Sequence, residues 1–198
     1  IPKVFQDFFT LPALSQALNI SVANPLSVDW SNVENYINQN TFTDFVSLAE
    51  GIRDNFQTDI DKLYASYYFV THYIQFDWDR YNSEDPQVLT IEDIFTQKKG
   101  ISVDYSNFLI ELAKSSGIIS DNIQIYPFTN ASKGINWNSY QPPPTPEIDH
   151  DDVYIDIGGQ KFISEPSLGS GYLDDDHQFN FQYKKSNFLI PYLNALLL

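Results

Sequence analysis

The chain has 198 residues and a formal net charge of −15 at neutral pH, from 11 basic and 26 acidic residues. This charge argues against nucleic acid and anionic membrane surfaces as direct partners and favours basic proteins or basic segments. Hydrophobic residues make up 42% of the chain and aromatic residues 16%, which predicts a single globular domain rather than a disordered segment.

The absence of cysteine excludes a disulfide framework and a cysteine-based metal site. No apolar run approaches about 18 residues, and no signal-peptide pattern follows Ile1, so we expect no membrane insertion. Methionine is also absent, and we expect Ile1 to begin an excised fragment. The lack of disulfides favours a cytoplasmic protein.

The first segment of the chain is mixed in character. Pro2, Pro12 and Pro25 interrupt its apolar residues. We therefore expect residues 1–41 to form an extended or short-helical lead-in that packs on the core. Residues 42–198 then form the single globular domain.

Three threonines each precede a helical pattern and are predicted N-caps: Thr43, Thr58 and Thr90. Asp59 follows Thr58 in the first turn, where the helix dipole favours a negative charge. His72 falls in this second helix, and we interpret it as a packed or surface histidine rather than a catalytic one.

Two acidic stretches raise the question of a metal site. Residues 77–85 are acidic but lack the fixed ligand spacing and glycine turn of a calcium loop, and residues 174–177 form a second acidic stretch, Asp-Asp-Asp-His. We interpret both as solvated loops, and the sequence predicts no metal or cofactor.

The central helix has the clearest periodicity. After Ser102, apolar residues fall at positions 105, 108, 109, 112 and 113, the spacing of one buried helical face. Gly117 follows, where a helix commonly stops. A nucleophile at Ser102 would face the positive end of the helix dipole, but serine is also among the best N-cap residues.

The second half of the chain favours strands. Residues 122–128 alternate as a strand does, and a loop over 129–149 follows. That loop carries a proline-rich segment that favours polyproline II and would suit an SH3 or WW domain, although it would equally serve as a stiff surface loop. The candidate partner-binding residues are Pro142, Pro143, Pro144 and Pro146.

A β-hairpin is predicted at 152–164, with Gly158-Gly159 as its two-residue turn. This turn places 157 opposite 160 and 152 opposite 165. Because 150 and 152 share a face, His150 and Glu165 become diagonal neighbours, about 7–8 Å apart at the backbone. The register thus predicts a histidine–carboxylate pair on one sheet face.

The segment Gly100–Tyr105, Gly-Ile-Ser-Val-Asp-Tyr, resembles the Gly-Val-Cys-x-x-Tyr signature of the transglutaminase-like superfamily. Ser102 stands where the family has its nucleophilic cysteine. His150 and Glu165, 15 residues apart, match the family's histidine and Asp-Pro. The resemblance covers roughly residues 42–195 and implies an α+β fold with a papain-like core, in which helices pack on an antiparallel sheet.

Two further segments resemble one branch of this superfamily. Leu168-Gly169-Ser170-Gly171 and Phe188-Leu189-Ile190-Pro191 are similar to the kyphoscoliosis peptidase and the fungal cytokinesis proteins. This resemblance implies a cytoplasmic role at the cell division site, through protein partners in septum formation.

Serine changes the chemistry of the implied triad Ser102, His150 and Glu165. A hydroxyl is far less acidic than a thiol, so the helix dipole and an imidazolium cannot keep it ionised at neutral pH. Asp151 and Asp152 directly follow the histidine and would favour imidazolium, a poorer general base.

We therefore predict a transglutaminase-like pseudoenzyme that acts as a protein-binding module. The alternative is a cysteine protease or acyltransferase of this superfamily whose nucleophile has been replaced by serine, naturally or by engineering. A working serine hydrolase is a third reading.

Overall fold

The computed structural model describes residues 28–84, 86–87, 89–118, 123–129 and 151–192, with the backbone alone for 126–129. Most of the predicted lead-in therefore lies outside the described residues. No helix in this described part of the chain is long and apolar enough to cross a membrane.

The described residues form a helical layer on one side of an antiparallel sheet. The helices are α1 (Trp30–Gln39), α2 (Phe45–Asn55), α3 (Asp59–Tyr73), α4 (Trp78–Tyr81), α5 (Ile91–Gln97), α6 (Ser102–Ser115) and α7 (Pro166–Ser170). The strands are β1 (Gln75–Phe76), β2 (Lys99–Gly100), β3 (Ile123–Thr129), β4 (Asp151–Ile157), β5 (Gln160–Ser164), β6 (Gly171–Leu173), β7 (Phe179–Phe181) and β8 (Ile190–Pro191).

Side-chain caps start most of these helices, and two of the three predicted caps are confirmed. Thr58 accepts a hydrogen bond from the main-chain N–H of Asp61, and Thr90 from that of Asp93, each at 3.1 Å. The prediction for Thr43 is wrong by one residue. The cap is Asp44, because a carboxylate in this position reaches the N–H of Ser47 at 2.7 Å.

The predicted acidic loop over 77–85 also needs correction, because it contains helix α4. Asp77 is the N-cap of this helix and accepts a hydrogen bond from the N–H of Arg80. A carboxylate that sequence reasoning left in solvent thus starts a short helix. Strand β1 immediately precedes it and pairs in parallel with β2.

The main sheet has the strand order β3–β4–β5–β8, with every neighbouring pair antiparallel. The predicted register of the hairpin is confirmed: Ile157 pairs with Gln160, and Ile155 with Phe162. The Gly158-Gly159 turn, with positive φ at both residues, sets this register.

Helix α6 lies at the centre of the fold, between α2 and α3 on one side and β4 on the other. The predicted buried face is confirmed, since its members are all 0% exposed. They are Tyr105, Phe108, Leu109, Leu112 and Ala113. The hydroxyl of Ser106 donates to the main-chain oxygen of Asp151 at 2.9 Å, which fastens the helix to the start of β4.

His72 is packed among aromatic rings, in agreement with its interpretation as a packed histidine. Its ring centroid lies 3.8 Å from that of Tyr68 and 4.5 Å from that of Tyr183. Nδ1 lies 2.7 Å from the main-chain oxygen of Tyr68. Burial lowers the pKa of His72, an effect only partly opposed by this hydrogen bond and by the charge of Glu34.

This burial predicts a stability that depends on pH. Because the folded state disfavours the imidazolium, His72 costs nothing above its unfolded pKa of about 6.5 and destabilises the fold as pH falls towards its lower folded pKa. Chemical denaturation between about pH 7 and pH 5 is expected to show a smaller loss of unfolding free energy in His72→Phe than in the wild type. Parallel curves for the two proteins would contradict the assignment.

Candidate functional site

Ser102 is the first residue of α6, and its side chain is nearly buried, with 5% of the residue exposed. The interpretation of Ser102 as the N-cap is wrong. Ile101 occupies the cap position with an extended backbone, and its side chain makes no capping hydrogen bond. The main-chain N–H of Ile101 instead donates to Oδ2 of Asp104 at 2.7 Å.

A buried ion pair lies beside Ser102, and sequence reasoning missed it. Asp104 is 1% exposed, and both of its carboxylate oxygens accept hydrogen bonds from the terminal nitrogens of Arg80. The Arg80 guanidinium also donates to the main-chain oxygen of Gln87 at 2.6 and 3.0 Å. A signal was present in the sequence, since an acidic residue in the first turn of a helix often supports its start.

The loop before Ser102 is held on both sides. Gly100 pairs with Phe76, and its carbonyl oxygen accepts from the N–H of Asp77 at 2.9 Å. A Cβ at Gly100 would lie only 2.8 Å from Cβ of Asp104, so the buried ion pair requires glycine here. The glycine of the Gly-x-Ser motif therefore has a packing role.

Helix α7 is attached to α6 through Tyr105. The Tyr105 hydroxyl donates to the main-chain oxygen of Ile74 at 2.7 Å and accepts from Ser170 at 3.3 Å. Burial raises the pKa of Tyr105, which therefore stays protonated and keeps donating this bond. The helix that follows Glu165 is thus packed on the helix that follows Ser102.

Glu165 is the N-cap residue of α7 and is half-buried. Its main-chain N–H donates to the oxygen of Asn187 at 2.9 Å. Burial raises the pKa of Tyr67 well above its usual value, and the charges of Tyr183 and Glu165 add smaller effects in the same direction.

The hairpin ladder ends at the pair Val153–Ser164, immediately before positions 152 and 165. Asp151 and Asp152, the two carboxylates that follow the predicted histidine, are buried, at 3% and 1% exposure. His150 itself lies outside the described residues, so its pairing with Glu165 stays a prediction.

The proline-rich segment lies outside the described residues as well. The SH3-docking role of Pro142, Pro143, Pro144 and Pro146 therefore stays a prediction. Within the described ranges, no group of three or more acidic or histidine side chains is placed to hold a metal ion.

A second feature that sequence reasoning missed is a cavity of about 310 Å³, which we call the aromatic cavity. It lies between β1 and α4 on one side and α7 with the β6–β7 hairpin on the other. Ser102 is not among the described residues that line it. The lining residues are Phe76, Trp78, Tyr81, Ser167, Leu168, Gly171, Tyr172, Leu173 and Phe179.

The buried ion pair predicts a large effect of Arg80→Ala on stability. Removing the guanidinium leaves the Asp104 carboxylate buried without its counter-charge, which costs about 3–5 kcal/mol of unfolding free energy. Arg53→Ala is the matched control, because the Arg53 side chain is 44% exposed in its pairs with Glu50 and Asp54, and such surface pairs contribute little to stability. Equal losses in urea denaturation of the two variants would contradict this role of Arg80.

Comparison with known proteins finds a family similar to part of this chain. Residues 46–121, which include the start of α6, match the transglutaminase-like superfamily. No curated protein matches the chain. One solved structure, described as a crystal structure of a TGase, is 14% identical over 94% of this chain, with a TM-score of 0.38. The chain spans 43% of the length of that TGase.

The predicted α+β class, with helices packed on an antiparallel sheet, is confirmed. Over residues 46–121, the sequence of this chain is similar to the transglutaminase-like superfamily.

Proposed function

We propose that this chain is a catalytically inactive transglutaminase-like domain that acts as a protein-binding module. The observation that carries the proposal is Ser102 at the start of α6, where the superfamily signature has its cysteine, in a chain that contains no cysteine. No other residue of this chain can supply a thiolate.

The surroundings of Ser102 support this proposal. A serine nucleophile needs a base to remove its proton during attack, and it needs access to the substrate. With 5% of the residue exposed, Ser102 offers little surface for a substrate to approach. The first turn of its helix is held by Asp104 and Arg80, an arrangement that serves stability without a thiol.

The alternative is an enzyme of the same superfamily whose cysteine has been replaced. The position of Ser102 favours it as the second candidate, because a thiol at the first residue of a 14-residue helix would be stabilised as a thiolate by the helix dipole. Glu165 would then orient His150. A working serine hydrolase would use the same three residues.

The variant Ser102→Cys separates these functions. We expect its thiol to react with iodoacetamide with an apparent pKa of about 8.5 or higher, because burial opposes the helix dipole. We also expect no turnover of casein or an amine acceptor by the wild type or the variant. Ser115→Cys, on an exposed position at the other end of α6, provides the reference thiol.

Two outcomes would contradict inactivity. Wild-type turnover with an acyl group on Ser102 would establish a serine hydrolase. A thiol pKa well below that of Ser115→Cys, together with turnover by Ser102→Cys, would favour an enzyme whose cysteine was replaced.

We propose further that the domain acts in the cytoplasm at the cell division site, in septum formation. The support is the resemblance of Leu168–Gly171 and Phe188–Pro191 to the fungal cytokinesis proteins. The glycines of the first segment have a packing role: a Cβ at Gly169 would lie 2.1 Å from the Tyr67 hydroxyl, and one at Gly171 2.2 Å from the main-chain oxygen of Asn180.

A fluorescent fusion of the full chain, expressed in dividing fungal cells, is expected to concentrate at the septum, because a binding module collects where its partners are. The fluorescent protein alone is the control and should stay evenly distributed. An even distribution of the fusion through the cytoplasm would overturn the proposed location.

A further inference from the structure

The exposed apolar surface of the described residues is concentrated at the aromatic cavity. Five large hydrophobic side chains in these ranges are exposed, and three of them line the cavity: Tyr81 at 37%, Leu168 at 46% and Tyr172 at 50%. Phe181, at 55%, lies on β7, which forms one wall, and Val46 lies apart on α2. A contiguous exposed apolar patch of this kind is typical of an interaction site.

The cavity wall is unusually rich in aromatic rings, whose electron-rich faces attract cations. Elsewhere in the described part of the chain, lysines already use such faces: Lys185 lies over Trp30 and Tyr64, Lys98 over Tyr73 and Lys161 over Tyr154. None of those rings lines the cavity. Among the described residues, no lysine or arginine covers the cavity rings, which are those of Phe76, Trp78, Tyr81, Tyr172 and Phe179.

Most of the charged residues next to the cavity-lining segments in sequence are acidic. Asp77 and Asp79 alternate with the aromatic residues of β1 and α4, and residues 174–176 form an aspartate run directly after Leu173. Two residues here have basic side chains: the Arg80 guanidinium is bound to buried Asp104, and His177, which follows the aspartate run, stacks on Trp78. The electrostatic potential at the cavity mouth therefore favours a cation.

The same charge argues against a second copy of this chain as the occupant, since each copy carries a net charge of −15. The volume of about 310 Å³ lies at the lower end for ligand pockets, which suits a single inserted side chain.

One ring of the cavity already stacks with planar groups of this chain. The Trp78 ring is stacked on the His177 imidazole, with centroids 4.1 Å apart and an angle of 18°, and it is stacked against Tyr81 at 26°. A planar guanidinium stacks on aromatic faces and is less strongly hydrated than an ammonium group, so it enters such a cavity at a lower desolvation cost.

We infer that the aromatic cavity binds an arginine side chain from a basic segment of a partner protein. This inference rests on the proposed function as a binding module and names the chemistry of its partner. The inserted guanidinium stacks on the rings of the cavity, and the aspartates at its mouth attract the flanking positive charges of the segment.

The test is a titration of the full chain with three matched seven-residue peptides. Binding is monitored through the NMR signal of the Trp78 indole N–H. The first peptide carries a central arginine between serine residues, with one lysine at each end, and the others carry lysine or citrulline in place of the arginine. We expect the arginine peptide to shift the Trp78 signal while the Trp30 signal stays in place. Its affinity should exceed that of the lysine peptide by about fivefold, and the citrulline peptide, whose central side chain is uncharged, should bind more weakly still.

Two exposed residues give a matched pair of variants. Tyr172→Ala removes a ring from the cavity and should lower the affinity for the arginine peptide by at least about fivefold. Val46→Ala removes an exposed apolar side chain that does not line the cavity and should change the affinity by less than about twofold. A rise in salt from about 50 to 500 mM should weaken binding, because the aspartates act through screened charge.

Equal affinity of the three peptides, an unmoved Trp78 signal or an unaffected Tyr172→Ala variant would each overturn the arginine site. Mass spectrometry of the recovered peptides keeps this test separate from that of the proposed function. A bound but chemically altered peptide would overturn catalytic inactivity and leave the site in place. An unbound and unaltered peptide would overturn the site alone.

Discussion

The buried carboxylate of Asp104 links three parts of the fold. It accepts hydrogen bonds from two nitrogens of Arg80 in α4 and from the N–H of Ile101 in the loop before α6. Taking this pair of charges out of water is costly, and the cost is offset only while both partners and the N–H are in place. The start of the central helix therefore depends on a contact across 24 residues of sequence, and the position of Ser102 follows from it.

The sequence pattern correctly predicted the parts of the fold that depend on interactions between residues close in sequence. The apolar period of α6, the caps Thr58 and Thr90 and the hairpin register from Gly158-Gly159 depend on residues close in sequence. It was harder to predict which of two neighbouring polar residues caps a helix. Thr43 and Asp44 are both good caps, and only the reach to Ser47 distinguishes them.

The features that sequence reasoning missed arise from contacts between distant segments. The aromatic cavity joins residues 76–81 to residues 167–179, and no periodicity in either segment reveals the other. Arg80 lay in a stretch that reads as a solvated acidic loop, and its binding to Asp104 needs the path of β1 and β2. For the candidate site, the sequence predicted the helix of Ser102 and the turn before Glu165. It did not predict the Arg80–Asp104 ion pair that fixes the start of this helix.

The hydrogen bond from Ser106 to the main-chain oxygen of Asp151 joins the central helix to a strand outside the segment that matches the family. The family match covers residues 46–121, yet α6 packs on β4, which begins at residue 151. A chain cut at residue 121 would lose Val153 and Ile155, two fully buried residues of the core, and would leave part of the central helix in contact with water. The matched segment therefore contains only part of the packed core, and the central helix needs the strands beyond it to be covered.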